Sequence, residues 1–457
     1  MKITQSVHFL VLILSLTASP WLVRPEPSHA YDEASLGSVA KLVANPQAQL
    51  TPRATSGCAA AATRINQTFN DAIRKKHDIS RASLLIGRPD QPLFQNSYKT
   101  GKDKRYDLAS LTKPIATATA IMRMKEMGKL KLSDPISKYL PEFSGMNITV
   151  DDLLRHRAAL KELDGRYLAG SLKLSLIKRQ RFATRAIAAE TRRSASSIPP
   201  HTYRDSNYFL LSEIIRRIEN KKNKKQDPKA FEKFVEREVL KPLKMNQSHF
   251  GRKPNDPLSK ALEGSAGNAG LYSTTGDLEK FAKMMLANGK TAGGKKFLSS
   301  KSIKEMTTPD KADYERYLAL TKRRHITFEN YHDRNISNRP ALRGAGFDLD
   351  NYRLNSRGIG EIVDRFEDFE TEGSFGHMGS TGTSLLIDRK KNVYVIVLAQ
   401  KDRADVINGL RVEAAGVAAD LAITRDCEPR VSDEVTKQLE KQSIAPPRPQ
   451  SVSRPAR

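Results

Sequence analysis

The 457-residue chain has only two cysteines and one tryptophan, and its one long apolar run is too short to span a bilayer comfortably. Its nine histidines are scattered, without the spacing of metal ligands. No Gly-x-Ser-x-Gly segment marks the nucleophile of a Ser-His-Asp hydrolase. The sequence therefore argues against a membrane-spanning protein, a metal-dependent enzyme and a hydrolase of that type.

The apolar run has the form of an export signal. Lys2 supplies a positive start, Val7 to Ala18 is apolar, and Ser28-His29-Ala30 offers a small-residue cleavage site. We predict a signal peptide over residues 1–30 and a protein exported to the periplasm or cell envelope, with no transmembrane span in the mature chain. No cysteine closely follows the run, which argues against a lipid anchor there.

The two cysteines, Cys58 and Cys427, lie near opposite ends of the predicted folded region. In an exported protein such a pair can form a disulfide, provided that the two segments meet in space. Two free buried thiols are the alternative, and the sequence alone leaves both possibilities open.

The formal net charge is +26, so a strongly basic surface is expected. Residues 166–193 carry eight Lys or Arg against one Glu, and residues 216–225 are similarly basic. Such segments can bind an anionic cell-envelope polymer, a membrane surface or nucleic acid. The export signal favours the envelope, and no nucleic-acid-binding signature accompanies the charge. Solvated helix faces without a ligand are the simplest alternative.

The hydrophobic pattern predicts one α/β layer with a large helical insertion, as a domain over residues 58–428. A linker over 31–57 precedes it, and a disordered, basic, Pro-rich tail over 429–457 follows. The predicted elements are a helix at 60–79 with an apolar face, a buried strand at 83–87, a mostly helical middle at 111–288, a hairpin of strands 384–387 and 393–399, and a helix at 405–423.

A Ser-x-x-Lys motif, Ser110-Leu111-Thr112-Lys113, opens a predicted helix. Residues three apart on a helix are neighbours, and a serine beside an amine is a known activated nucleophile. Of two other matches, Ser38 lies upstream of any plausible core and Ser175 lies in a basic segment, 173–185. The structural alternative is Ser110 as an N-cap and Lys113 as a surface charge.

Tyr203 stands just before a second predicted helix, whose apolar stripe runs from Leu210 to Ile218. A phenol near a lysine loses its proton more easily and can act as a general base. The alternative is a partly buried tyrosine, with Asp205 or Ser206 as the N-cap.

A glycine-rich segment, 373–383, contains His377, Gly379 and Ser380 and leads into the predicted hairpin. Glycine in a strand allows another backbone or a ligand to approach closely. A cation at His377 beside free backbone N–H groups suits an acyl substrate that carries a carboxylate or a developing oxyanion. A glycine-rich edge with an incidental histidine is the alternative.

Together, in this order, the three motifs resemble those of the serine β-lactamase-like family, which includes class C β-lactamases, low-molecular-weight penicillin-binding proteins and related esterases. The resemblance covers roughly residues 60–425 and includes 106–114, 132–136, 267–274 and 376–379. It implies a mainly antiparallel sheet flanked by N- and C-terminal helices, with a large inserted helical domain.

The resemblance also implies roles for the motif residues. Ser110 would be the acylated nucleophile, Lys113 the amine that activates it, and Tyr203 a proton carrier. Backbone N–H groups of Ser110 and Ser380 would form the oxyanion hole, and His377 would orient the substrate. No metal or cofactor is implied.

Three departures from the family pattern qualify these roles. Asp205 stands where asparagine is usual, which should keep Lys113 charged and leave Tyr203 as the main base. His377 replaces a lysine and would be only partly charged, which favours a peptidase or esterase over an efficient β-lactamase. Residues 157–160 depart from the usual loop sequence, which puts the loop shape in doubt.

We therefore expect an exported serine hydrolase that acts through an acyl-enzyme on Ser110, as a D-alanyl peptidase or as an esterase or amidase. Its substrate would be a small-molecule or peptidyl acyl compound. A β-lactamase with slow turnover is one alternative. A catalytically silent protein that binds the envelope is the alternative of another class.

Overall fold

The computed structural model describes residues 57–74, 79–101, 104–163, 165–193, 202–221, 226–323, 342–349, 353–354, 360–361 and 373–401, and six positions between 410 and 421. The predicted signal peptide, nearly all of the predicted linker, the predicted tail and Cys427 lie outside these residues. The pairing of Cys58 with Cys427 therefore stays a prediction. Within the described residues, no helix is both long enough and apolar enough to cross a bilayer.

Three of the α-helices span 16 to 18 residues and the others are shorter, and most of them lie in the middle of the chain. They are α1 (Gly57–Arg74), α2 (Thr119–Glu126), α3 (Val150–Leu154), α4 (Leu176–Arg193), α5 (Asp205–Asn220), α6 (Ala230–Val235), α7 (Pro257–Ala261), α8 (Thr275–Leu286), α9 (Ser300–Thr307) and α10 (Lys311–Arg323).

The strands fall near the two ends of the described chain and at a few points between. They are β1 (Ile79–Gly87), β2 (Pro92–Tyr98), β3 (Tyr106–Asp107), β4 (His249–Phe250), β5 (Leu271–Ser273), β6 (Arg353–Leu354), β7 (Gly360–Glu361), β8 (Ser374–Met378), β9 (Ser384–Asp388) and β10 (Val393–Lys401).

The main sheet has five strands in the order β2-β1-β10-β9-β8, and all its pairings are antiparallel. β9 and β10 form the hairpin that the sequence predicts, with Val393 opposite Asp388. The glycine-rich segment begins with β8 at the edge of this sheet, where Gly376 and Asp348 exchange two backbone hydrogen bonds, at 3.0 and 3.1 Å. A small sheet, β3-β5-β4, lies beside the segment that carries Ser110.

Side chains of the central strands alternate between two hydrophobic layers. Along β10, Val395 and Val397 pack with α1 and with the helical residues near 410–421, whereas Tyr394 and Ile396 face the helical middle of the chain. A strand covered on both faces reads as a continuous apolar run, which is the pattern of residues 393–398. The prediction for this strand is confirmed.

The predicted helix at 60–79 differs from the structure at both ends. The helix begins at Gly57 and is described to Arg74, while Ile79 already belongs to β1. Its apolar face is as expected, because Ile65 and Phe69 are fully buried. The boundary error arises because Ile79 continues the apolar periodicity of the helix while it starts the strand.

The chain around Ser110 is not one regular helix. Ala109–Leu111 form a 3-10 turn, Lys113–Ala118 form a π-helical turn, and α2 follows. Pro114 has no N–H to donate, and its carbonyl accepts a hydrogen bond from Thr119 Oγ1 at 2.8 Å. Ser110 and Lys113 are neighbours because they lie three residues apart in the helical segment that enters this wide turn, and such π-turns are frequent at functional sites.

Arg157 explains how the unusual loop at 157–160 is held. Its guanidinium forms ion pairs with Asp151 and Asp152 of α3, and with Asp310 and Asp313 at the start of α10. The loop is therefore fixed by charge where the family pattern has small residues.

Candidate active site

Ser110 is presented by strained backbone. The preceding residue, Ala109, has φ +45°, a left-handed conformation that costs an L-residue about 1 kcal/mol or more. The Ala109 N–H donates to Asp107 Oδ1 at 3.0 Å, which helps to hold this conformation. Ser110 itself is half-buried, so its hydroxyl lies at the boundary between core and cleft.

Lys113 is fully buried and sits at the centre of the site. Its Nζ donates to Ser110 Oγ at 2.9 Å and to the carbonyl oxygen of Asn268 at 3.0 Å. The same nitrogen lies 2.6 Å from Asp205 Oδ1. The surface-charge alternative for Lys113 is therefore wrong, because an ammonium without exposure needs these partners.

Tyr203 lies in the loop just before α5, and Asp205 is the first residue of that helix. The Lys113 ammonium lies 4.8 Å from the centre of the Tyr203 ring, and the Tyr203 hydroxyl hydrogen-bonds with Lys113 and Ser110. The outer part of Tyr203 is open, with 36% of the residue exposed. The first and second motifs thus meet around one amine, as the sequence predicts.

Glu162 caps the start of α5, so the carboxylate of Asp205 is available to Lys113. The N-cap residue of α5 is Arg204, whose side chain makes no capping hydrogen bond, so the N-cap alternative for Asp205 or Ser206 is wrong. Instead, the Asp205 and Ser206 N–H groups donate to the two carboxylate oxygens of Glu162, at 2.8 and 3.2 Å. Burial and the nearby charge of Asp205 raise the pKa of Glu162 to about 7.

The third motif packs directly on the segment that carries Ser110. A Cβ added at Gly379 would lie 2.3 Å from the Leu108 carbonyl oxygen, so only glycine fits there without a shift. Thr383 Oγ1 donates to that same carbonyl at 2.9 Å, and Thr381 Oγ1 donates to the Asp107 carbonyl at 2.6 Å. These contacts place the turn with Ser380 beside Ser110.

His377 is buried and lies at the far side of the Tyr203 ring, 6.0 Å between ring centres. Its Nδ1 donates to the Met378 carbonyl at 2.9 Å, since a carbonyl can only accept. Burial lowers the pKa of His377, and Asp348, 3.9 Å from Nε2, offsets this only in part. His377 is therefore neutral at physiological pH and supplies less charge than a partly protonated histidine would.

Arg343 carries the positive charge that His377 lacks. Its guanidinium lies 5.8 Å from the Tyr203 ring centre, and its Nε donates to Asp348 Oδ1 at 2.9 Å. Burial acts to raise the pKa of Asp348, but the charge and hydrogen bond of Arg343 and the charge of Lys113 help to hold that pKa below the ordinary value. None of the sequence motifs includes this arginine, so it was not predicted.

The resting charges of the two proton-carrying groups follow from their surroundings. Burial acts to lower the pKa of Lys113, but Asp205 and Tyr203 outweigh it and hold the pKa above its ordinary value. Burial raises the pKa of Tyr203 to about 12, with Lys113 opposing and Asp205 adding to the rise. At neutral pH the centre therefore holds the ammonium of Lys113 and the neutral phenol of Tyr203.

A family model described as Beta-lactamase matches residues 66–418, well over half of the chain. The chain belongs to the beta-lactamase family. It is 24% identical over 360 residues to an Escherichia coli K12 protein named "Putative D-alanyl-D-alanine carboxypeptidase", with 69% of this chain and 73% of that protein covered.

Solved structures of the beta-lactamase fold are similar to this chain as well. The octameric penicillin-binding protein homologue from Pyrococcus abyssi has a TM-score of 0.51 at 19% identity, over 75% of this chain and 73% of that one. EstCE1, a hydrolase with promiscuous acyltransferase activity, has a TM-score of 0.52 at 16% identity, over 79% and 98%. At these identities the likeness shows the fold.

The predicted family, fold class and enzyme class are confirmed: the protein is a serine hydrolase of the beta-lactamase fold. In addition to Arg343, three residues that support the site were not predicted from the sequence. Glu162 caps α5, Asn268 accepts from Lys113, and His156 stacks on Tyr203 with 4.4 Å between ring centres. Asn268 lies in a segment that the resemblance includes, but nothing in the sequence shows that its backbone carbonyl would be the contact.

Proposed function

We propose that this beta-lactamase-family protein is an exported serine hydrolase that acylates Ser110, and that it acts on D-alanyl peptides or on related esters and amides. The observation that carries the proposal is the Lys113 ammonium, which is fully buried and lies 2.9 Å from Ser110 Oγ and 2.6 Å from Asp205. Burying a cation costs free energy that its partners must offset, and charged groups held in this way are concentrated at functional sites, so its place beside a serine hydroxyl supports a chemical role.

In the proposed reaction, Ser110 Oγ attacks the acyl carbonyl carbon, and its proton passes to the Lys113–Tyr203 pair. That pair returns a proton to the leaving amine or alcohol as the carbon–heteroatom bond breaks. The backbone N–H groups of Ser110 and Ser380 stabilise the oxyanion, which the contact of Gly379 with Leu108 supports. Water then attacks the ester on Ser110 and releases the acid.

The main base is proposed to be Tyr203, because Asp205 holds Lys113 in its charged form. The pKa of Tyr203 is raised to about 12, so at neutral pH only a small fraction of the molecules has lost a proton from the Lys113–Tyr203 pair. Tyr203 can accept the proton of Ser110 only in that fraction. Replacement of Tyr203 by phenylalanine should therefore slow acylation by about 10²-fold or more. Acylation at the wild-type rate would instead make Lys113 the base.

A peptidase or esterase is favoured over an efficient β-lactamase by the state of the third motif. His377 is buried and neutral, so the motif lacks the cation that a lysine would supply. The name of the Escherichia coli relative points in the same direction. We expect purified protein to hydrolyse nitrocefin slowly; rapid turnover would show that carboxylate anchoring does not depend on a cation at His377.

The decisive experiment is intact-protein mass spectrometry after incubation with a fluorescent penicillin and, separately, with a fluorophosphonate. Wild type should gain a single adduct, and Ser110→Ala should gain none. Labelling by penicillin favours the D-alanyl peptidase, and labelling by the fluorophosphonate alone favours the esterase.

Ser175→Ala is the matched control, since Ser175 has the same Ser-x-x-Lys spacing but lies exposed ahead of α4. It should label like wild type. Absence of an adduct from both probes, on protein with a cooperative thermal transition, would support the catalytically silent envelope-binding protein instead.

A further inference from the structure

The largest exposed apolar side chains of the described residues are concentrated in one short stretch. Six large hydrophobic residues are strongly exposed among the described residues, and three of them, Leu172, Leu174 and Phe182, lie within eleven residues of one another at 54%, 41% and 43% exposure. Of the others, Tyr203 borders the active-site cleft, Met378 Sδ lies 3.5 Å from the guanidinium of Arg411, and Met127 stands alone at the end of α2. The stretch therefore needs an explanation separate from the cleft.

Cations alternate with these apolar side chains. Lys173 lies between the two leucines, and Lys178 and Arg181 lie on the same exposed side of α4 as Phe182. None of the ion pairs found in the described part of the chain involves these three cations. We call the six residues, Leu172, Lys173, Leu174, Lys178, Arg181 and Phe182, the basic–apolar patch.

The opposite face of α4 fixes the patch in place. Ala183 and Ile187 are buried in the core, and Gln180 Nε2 donates to the Pro228 carbonyl at 2.9 Å. Arg179 donates to the Ala261 carbonyl and pairs with Glu263. The helix thus has its own buried face against the domain, so the patch is a preformed surface rather than a helix face waiting to pack.

We propose that the basic–apolar patch docks the protein on the surface of an anionic lipid bilayer. Leucine and phenylalanine side chains enter the boundary between headgroups and acyl chains, while lysine and arginine pair with the anionic headgroups. A soluble polyanion would use the three cations but has no use for three exposed apolar side chains. The net charge of +26 attracts the protein to such a surface from a distance.

The test is co-sedimentation of the full chain with large unilamellar vesicles of phosphatidylcholine, with and without about one third phosphatidylglycerol. The readout is the difference in binding between vesicles with and without phosphatidylglycerol. Any attachment of the protein that does not depend on the anionic lipid cancels in this difference. The wild-type protein should bind the anionic vesicles and dissociate from them at high salt.

Two matched pairs of variants locate the contact. The triple variant Lys173→Gln, Lys178→Gln, Arg181→Gln should bind on the order of 100-fold more weakly, at about one power of ten per 1.4 kcal/mol and about 1 kcal/mol per cation. Its control neutralises Lys290, Lys295 and Lys296, which are exposed without large apolar neighbours, and should change binding by less than about threefold.

The second pair is Phe182→Ser against Met127→Ser, two residues with the same exposed fraction, 43%. The first should weaken binding by about tenfold and the second should leave it unchanged. Equal losses in both triple variants would overturn the proposal in favour of diffuse charge. Full binding by Phe182→Ser alongside a loss in the patch triple variant would indicate a polyanion site. No anionic-lipid effect in wild type would also overturn it.

These outcomes are independent of the proposed chemistry. Adduct formation on Ser110 should be the same in all four variants, because none of the substituted residues lies in the active site. Loss of the adduct together with loss of vesicle binding would signal misfolding of α4, and the thermal transition of each variant identifies that case.

Discussion

Two cationic regions of this protein show how burial decides what a charge does. Lys113 is fully buried and holds contacts with Ser110, Asn268 and Asp205, so its charge is tied to the geometry of one reaction centre. Lys173, Lys178 and Arg181 are exposed, and their charges act on whatever approaches the surface. The buried cation therefore interacts strongly with a few atoms at short distance, whereas the exposed cations interact weakly over a longer distance.

Removal of Lys113 should give the largest effect. Lys113→Ala should slow acylation by at least about 10³-fold and destabilise the fold by about 1–3 kcal/mol, because Asp205 is left without its counter-ion. The double variant Lys113→Ala, Asp205→Asn should regain most of the stability and none of the acylation. Denaturant titration and adduct formation separate the two effects; recovery of activity in the double variant would contradict a chemical role for the amine.

The glycine contact between the third motif and the nucleophile segment should come next. Gly379→Ala should slow acylation by about 10²-fold, because its Cβ would collide with the Leu108 carbonyl and shift the turn that carries Ser380. Gly276→Ala is the control, since a Cβ there meets nothing within 4 Å and α8 should gain up to about 1 kcal/mol. Equal rates in the two variants would show that the turn does not need this close approach.

A change of charge inside the centre should move the pH dependence. Asp205 raises the pKa of both Lys113 and Tyr203, so Asp205→Asn should lower both pKa values. The deprotonated pair then exists at lower pH, and the alkaline-rising limb of the acylation rate should shift down by about one pH unit, or about tenfold in rate at pH 7. Asp90→Asn, an exposed site, should leave the profile in place. A shift to higher pH would contradict the assigned charges.

The exposed cations should give the smallest effect on the fold. Replacement of Lys173, Lys178 and Arg181 by glutamine should change the free energy of unfolding by no more than about 0.5 kcal/mol, because none of them has a buried partner to lose. Thermal or denaturant unfolding measures this directly. A larger loss would mean that the three cations stabilise α4. They would then not differ from Lys113 in their contribution to the fold.

The parts of this protein that were predictable from the sequence are those in which the signal is local. Ser110 and Lys113 are three residues apart, and β9 and β10 are separated by a short turn, so periodicity and spacing were enough. The apolar stripe of α5 predicted burial for the same reason. The family resemblance added the order of the motifs and, with it, the roles proposed for Tyr203 and His377.

The parts that were missed depend on contacts across the chain. Asn268 reaches Lys113 from 155 residues away, and it does so through a backbone carbonyl that every residue has. Glu162 caps α5 from 43 residues before Asp205, so the helix start showed no cap of its own. Arg343 lies in a segment without periodicity. No spacing rule could connect these residues before the fold had brought them together.

The pairing of β1 with β10 has a consequence for the order in which the protein is made. Ile79 lies opposite Lys401, so the central strand of the sheet is among the last described segments to leave the ribosome. Until then β1 is paired with β2 alone, and the apolar residues it shares with α1 lack the cover that β10 and the helical residues near 410–421 provide. Pairings this distant along the chain fold slowly and expose such residues for longer. The nascent protein should therefore depend on a holding chaperone until its final strand is complete.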